Sequence, residues 1–543
     1  MAGTAQSVGV TSLLAVPEIE VPPAPDALLA PPFWARIETL WLLFVPLCAL
    51  LYALLQPLAP NDLWYHVRAG ELLFQRGHIP TTNAMSSGVA LDAPFYYQSW
   101  LAQAALYQTL DKFGLGGLQW LRAGCLFSAS ALLLNAGLWW AKQENGARSS
   151  SARALAAGAL WAFLIASNNV DLRPQTFSFL LCALWIVLLL RFWRAPSVAL
   201  GAGLSLVALV WANTHGAFVL APASLLVLSG AQTFFGRSKP LWMTTIFVVA
   251  ATLLNPRGAD IYSYLAQLSS NVTGQKFIQE WRSPGFDEWH SLLFWTSPFF
   301  IALLWRLSRA PKSWTPWLAP LALTWVMGAR DQRAMMWFAL FGAPLAGLLL
   351  SRLFPSSRPA SVPRAAQWIN VTLLAMMLVC PLAFAPRVKA QWPWPDAFAQ
   401  RFAPTPQSVF AGQPDLLLDR TTPVAAVEWW GKHPPKPGTR VWTDMVPGSF
   451  MTWATRRQER SEGVLPLCDP RIELFSDAFW EDYVRLSSGP NGAGEQLRHR
   501  GFSQALLDKE SQAGLTRELR RAGWREVAGN GTTILFVAPG SGD

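Results

Sequence analysis

Long apolar runs follow one another from residue 38 to residue 385, separated by short polar clusters. A hydrocarbon core about 30 Å thick takes roughly 20 residues of helix, so such runs read as membrane spans. The pattern predicts spans over residues 38–58, 116–140, 152–167, 174–190, 198–211, 217–234, 241–254, 291–305, 317–327, 335–350 and 366–385. Residues 96–113 are helix-like but carry Gln98, Gln103, Gln108, Asp111 and Lys112. These side chains are too costly for lipid-facing hydrocarbon, so that segment is expected in the interface or packed against the bundle. In the tail, strands are predicted over 439–443, 463–468, 503–507 and 533–537, and helices over 423–433, 474–486 and 515–522. Strand–helix alternation of this kind predicts a small α/β domain.

The expected fold class is an α-helical polytopic membrane protein with about eleven transmembrane helices and a C-terminal extracytoplasmic α/β domain. Residues 1–37 are expected to be a disordered cytoplasmic tail, 38–387 the transmembrane domain with a first outer loop over 59–95, and 388–543 the soluble domain. Lys and Arg in short loops set the orientation. Lys142, Arg148 and Arg153, Arg191 and Arg194, Arg237 and Lys239, Arg306, Arg309 and Lys312, and Arg352, Arg358 and Arg364 fall on one side when the spans are counted off. That side should be the cytoplasm.

Composition agrees with the pattern. The 543 residues are 52% hydrophobic and only 14% charged, well below the quarter usual in soluble domains. A net charge of +10 would suit nucleic acid, but the basic residues punctuate apolar runs and form no single patch, which excludes that partner. The first residues lack a basic n-region, which argues against a cleavable signal peptide. Cys48, Cys125, Cys182 and Cys380 lie inside apolar runs and Cys468 in the tail, without disulfide or zinc spacing. A glycine-rich phosphate loop and an internal repeat are both lacking, which disfavours nucleotide binding and a repeat-built transporter.

Candidate chemistry gathers at the outer ends of the spans. Asn61-Asp62-Leu63-Trp64-Tyr65-His66-Val67-Arg68 follows the first span. As a helix on the membrane surface it would present Asp62 and His66, one turn apart, to a cavity above the bilayer. Other outer loops bring Arg173, His215, Arg257, Glu280, Arg330 and Arg333, with Gln98 on the amphipathic segment. Guanidinium groups match phosphate oxygens with paired hydrogen bonds, and a carboxylate nearby suits a general base. Asp62 is the candidate base, although a helix N-cap is the alternative role for it. Asp469, Arg471 and Glu473 read as an ion-paired strand end.

Asp-Leu-Trp-Tyr-His after the first span, with Arg-Pro-Gln, Asn-Thr-His-Gly-Ala-Phe, Asn-Pro-Arg-Gly and Glu-Trp-Arg-Ser-Pro further on, resembles bacterial membrane glycosyltransferases of the GT-C type. The protein mannosyltransferases and the aminoarabinose transferase of lipid A are of this kind. The resemblance covers most of the chain. It implies transfer of a sugar from a polyprenyl-phosphate carrier in the bacterial inner membrane to a glycan, lipid or protein acceptor outside, with inversion. Asp62 matches the catalytic acid of the first outer loop, and His66, Arg68, Gln98, Arg173, His215, Arg257, Glu280, Arg330 and Arg333 would bind substrate. That loop often holds two acids, whereas Asn61 precedes Asp62 here. The departure weakens the case for a divalent metal and leaves no cofactor clearly implied. A non-catalytic scaffold or assembly factor of the same architecture, and a transporter, are the rival expectations.

Overall fold

The computed structural model describes residues 31–145, 151–270, 276, 278–356, 362–389, 417–456 and 464–540. The predicted N-terminal tail, apart from its last residues, and the segment 390–416 lie outside the described residues.

Among the described residues, thirteen helices of ten residues or more precede that segment: α1 Ile37–Leu55, α2 Leu63–Arg76, α3 Trp100–Asn145, α4 Ala152–Ala166, α5 Pro174–Arg194, α6 Val198–Ala212, α7 Leu220–Thr233, α8 Lys239–Thr252, α9 Asp260–Ser269, α10 Trp289–Leu307, α11 Leu318–Arg330, α12 Met335–Leu353 and α13 Arg364–Ala383. Every predicted span falls on one of them. Six stretches of the described residues are long and apolar enough to cross a membrane: Ile37–Leu55, Trp100–Glu144, Pro174–Arg194, Gly216–Thr233, Gln332–Leu353 and Arg364–Ala383. Local signals start the helices where they begin. Ser151 and Ser197 accept the N–H groups of Ala154 and Leu200, and Pro174 opens α5 with its ring-fixed φ.

Helix α12 runs through the centre, 94% buried in its most apolar window, whereas α13 is 11% buried and turns Trp368, Ile369, Met376 and Leu382 outward. Helices α4 and α12 approach closely. A Cβ on Gly158 would stand 2.4 Å from the backbone nitrogen of Gly347, so only glycine lets the two backbones meet.

Residues 100–113 take the second of their two expected places, packed within the protein, while the expected surface position of α2 changes. Residues 100–113 are continuous with the second span and form the first part of α3, broken at Gly114 (φ 64°, ψ −165°). This part packs on α2 so tightly that a Cβ on Gly70 would lie 2.1 Å from the Gln103 carbonyl oxygen. Nor does α2 lie open on a surface, because Leu63, Trp64, His66, Val67 and Arg68 are all buried. The apolar run on α2 has a protein partner on each side.

That second partner is the C-terminal part. It contains α14 Val424–Lys432, β1 Arg440–Thr443, α15 Met445–Ala454, β2 Leu465–Pro466, α16 Asp477–Ser487, α17 Ala493–His499, β3 Gln504–Asp508, α18 Ala513–Arg521, β4 Arg525–Gly529 and β5 Thr533–Val537. The sheet order is β2-β1-β3-β5-β4; β1 runs parallel to β2 and β3, and β5 antiparallel to β3 and β4. The predicted strands are present, while α15, α17 and β4 add to them.

Trp64 of α2 packs against Phe450 and Trp453 of α15 at ring distances of 5.0 and 4.7 Å. Leu58 exchanges backbone bonds with Leu417 and Asp419. The deepest polar link is Arg471, whose guanidinium pairs with Asp469 at 2.6 Å and donates to the Asn83 carbonyl, the Asn83 side chain and the Tyr97 hydroxyl. Both partners of the pair are fully buried. Glu473 leaves this cluster and accepts the Tyr264 hydroxyl at 2.8 Å, which corrects the expectation of one ion-paired strand end.

Removing one side of a buried ion pair costs about 3–5 kcal/mol because the other charge stays in low dielectric. Arg471→Ala should therefore lower the melting temperature and expose the 79–97 loop to limited proteolysis. Arg485→Ala, whose pair is half exposed, should do neither.

Candidate active site

Asp62 stands at the first turn of α2 with helical backbone angles (φ −52°, ψ −26°), but its side chain makes no capping bond. Asn61 caps instead. Its side-chain oxygen accepts the Leu63 N–H at 3.2 Å, and its amide donates to Asp171 at 2.9 Å. The asparagine that replaces a second acid thus holds the loop, and it leaves the Asp62 carboxylate 35% exposed.

Facing Asp62 is Arg173, the residue just before α5, with one guanidinium nitrogen 3.7 Å from the carboxylate and another 2.7 Å from Glu280. The Asn169 side chain accepts a further bond from the same guanidinium. The Nε of Arg173 is buried and has no hydrogen-bond partner. Glu280 belongs to the one-turn helix Gln279–Trp281, and the next residue, Trp281, carries the Arg333 guanidinium over its ring at 4.3 Å. Asn169 donates to the Arg333 carbonyl at 3.3 Å. Loops distant in sequence therefore meet at one end of the bundle. Arg194 with Glu144, and Arg191 with Asn135, sit among the predicted inner loops, none of which reaches this cluster among the described contacts.

Burial sets the protonation of the cluster. It pushes the Asp62 carboxyl up to about 6; Arg173 and Arg333 pull it down, and Glu280 and Asp171 push it up. Burial also raises Glu280, but the charge and hydrogen bond of Arg173 outweigh it and hold this acid below the usual carboxylate range. His215 is pushed down to about 3 by burial and by Arg333 and Arg173. Its Nδ1 accepts the Ala217 N–H and lies 3.0 Å from the Ser178 hydroxyl, which leaves the ring proton on Nε2. His66 is also held neutral by burial, with His215 and Arg173 adding to the effect, and it lies 3.0 Å from the Gln103 amide.

The sequence candidates divide into those that share this cluster and those that do not. Asp62, Arg173, Glu280 and Arg333 meet directly, with His215 and His66 within their electrostatic reach. Gln98 lies beside Gly216, its amide nitrogen buried without a partner. Arg257 is clasped between the rings of Tyr96 and Tyr264 at 3.7 and 4.0 Å. Arg68 is engaged elsewhere, in a buried pair with Glu71, which also binds Arg456. Arg330 donates to the Ser269 carbonyl. Sequence reasoning missed Asn61 as the cap, Asn169 as a holder of Arg173 and Trp281 as a platform for Arg333. The two asparagines carry no charge signal, and Trp281 reads equally well as a membrane-belt residue. Among the described residues no three His, Cys, Asp or Glu side chains are grouped to hold a metal ion.

No protein-family model matches the sequence, and no curated protein matches it. Among solved structures the chain is similar to ArnT from Cupriavidus metallidurans bound to undecaprenyl phosphate: 15% identity over 92% of this chain and 98% of that one, with a TM-score of 0.49. It is also similar to the Archaeoglobus fulgidus oligosaccharyltransferase in its apo form, at 11% identity over 88% of this chain and 71% of that one, TM-score 0.49. A third is the mycobacterial arabinofuranosyltransferase AftD, at 15% identity over 92% of this chain and 41% of that one, TM-score 0.47.

A carboxyl raised in this way stays protonated further up the pH scale than a solvated aspartate. The carboxylic-acid infrared band that Asp62→Asn removes should titrate with a midpoint near pH 6 and fade as pH rises through it. A midpoint near pH 4 would mean that the carboxylate is solvated like an ordinary one.

Proposed function

We propose that the chain is a multi-pass membrane glycosyltransferase that moves a sugar from a polyprenyl-phosphate donor to an acceptor hydroxyl or amide at the extracytoplasmic face. The observation that carries this reading is Asp62: a carboxylate free of any capping bond, partly open, and faced by cations. A pKa of about 6 leaves it mostly ionised near neutrality, yet basic enough to take a proton. The acceptor oxygen or nitrogen gives its proton to Asp62 and attacks the anomeric carbon from the face opposite the phosphate. The bond from that carbon to the phosphate oxygen breaks, and polyprenyl phosphate leaves with the electron pair. Arg173 and Arg333 would stabilise the growing negative charge on that oxygen. Neutral His215 would offer its Nε2 proton as a hydrogen bond to the sugar or the phosphate.

The orientation in this proposal follows the basic loops at the other end of the bundle, which suit the cytoplasmic side. The sugar-bearing carrier would approach laterally from the bilayer with its phosphate at the headgroup level.

Transfer of radiolabelled sugar from polyprenyl-phosphate sugars should fall by about 10²–10⁴-fold in Asp62→Asn membranes, the size of a lost general base. The donor KM should move little. Full activity in that variant would remove Asp62 from the mechanism.

A further inference from the structure

One buried charge in the second span has no part in the chemistry so far. Arg122 lies near the middle of α3, and its side chain is wholly buried. A guanidinium withdrawn from water is costly and persists only with close compensation. Its partners among the described residues are backbone carbonyls rather than carboxylates. It donates to Ala53 at 2.8 Å, to Pro57 at 3.2 Å and to Gln56. These carbonyls belong to the end of α1 and the residues just after it. The last turn of a helix leaves its C=O groups without intrahelical donors, and together they form the negative end of the helix dipole. Here the donors come from outside the helix. Gln119, on the same face of α3, donates to Gln56 at 3.0 Å, and Lys389 donates to Leu54 and Leu55 at 2.9 and 3.5 Å. Arg122 reaches past the helix as well, to Pro57. A planar fork with several N–H groups can hold three carbonyls at once, which a single ammonium group does poorly.

From Pro57 a short loop leads to Asp62, and it is tied along its length. The Trp64 indole donates to the Ala59 carbonyl at 2.9 Å, the Ser449 hydroxyl to the Asn61 carbonyl at 2.6 Å, and the Asn61 amide to Asp171 at 2.9 Å. Asp171 is also an acid whose field reaches Arg122. The guanidinium therefore bears on this loop from both sides, through the backbone at Pro57 and through the acid that anchors Asn61.

We infer that Arg122 is a positioning residue for the proposed transfer: it fixes where α1 ends, and so sets the Asp62 carboxylate 3.7 Å from Arg173. The inference rests on the transferase reading and adds a residue that acts through the backbone leading to Asp62, not on the substrate. The distance matters in both directions. A loop that moved inward would let Arg173 hydrogen-bond Asp62 directly, as it does Glu280 at 2.7 Å. A loop that moved outward would admit water to the carboxylate. Either shift stabilises the ionised form and leaves a weaker base.

The test uses the full-length protein in lipid nanodiscs and two variants. Arg122→Lys keeps a cation at the end of α1 but loses the fork, and Arg122→Gln loses the charge as well. In both, the infrared band that Asp62→Asn removes should titrate below the wild-type midpoint near pH 6 and move toward about 4. The other charges facing Asp62, namely Arg173, Arg333, Glu280 and Asp171, are unaltered. Transfer from polyprenyl-phosphate sugars should lose about 10²-fold in kcat, the cost of a displacement of about 1 Å, with little change in donor KM. Trp317→Phe, a cavity among the packed tryptophans beside Trp193, serves as the control. It should lower the melting temperature and leave the midpoint near pH 6, which separates lost stability from lost placement. An unmoved midpoint or an unchanged kcat in folded Arg122→Lys would overturn the inference. Loss of folded protein in both variants would do the same, making Arg122 a prop of the fold alone. The midpoint is read without turnover, so full activity in Asp62→Asn would sink the catalytic proposal while the placement of Asp62 is judged separately.

Discussion

Arg173 is the point on which the polar architecture turns. Its guanidinium is almost wholly withdrawn from water, and such a charge is tolerated only with close, well-aimed compensation. Asp62 comes from the loop after α1, Asn169 from the end of α4, and Glu280 from the turn between α9 and α10. Each is drawn to one guanidinium by the cost of leaving it bare. Pro174 starts α5 immediately afterwards, so the position of a buried helix is passed directly to the charged cluster. On its far side α2 is pressed by Phe450 and Trp453 against Trp64, which holds the segment that carries Asp62.

The same cation acts differently on its two acids. Glu280, at 2.7 Å and directly hydrogen-bonded, is kept a permanent anion. Asp62, at 3.7 Å and without that bond, is governed by burial and is left with a proton affinity near physiological pH. Separating the two carboxylates by environment gives one a structural role and the other a chemical one. The neighbouring imidazoles stay neutral chiefly because burial disfavours their charge, with Arg173 adding to it at both and Arg333 at His215.

Much of the fold is legible in the chain because lipid imposes a simple rule. A segment of the right length and apolarity becomes a helix, whatever its neighbours. The strand β4 escaped the same reading because it is an edge strand whose Arg525 and Glu526 face outward; its pairing with β5 is what makes it a strand. The α2 helix was misjudged for a related reason. Its apolar stripe is visible, but the sequence does not say whether lipid or protein covers it, and here protein covers it on both sides. Arg68 looked as available as Arg173, yet Glu71 lies three residues on and claims it.

The sequence by itself determined the apolar helices, the polar character of one end of the bundle and the prominence of Asp62, because hydrophobic length and residue chemistry are local properties. Only the tertiary structure decided that Asn61 takes the cap and frees Asp62, that Arg173 joins Asp62 to Glu280, and that Arg257 and Arg68 are engaged elsewhere. Those outcomes depend on which side chain reaches a buried charge first, and that is settled by packing between segments far apart in the chain.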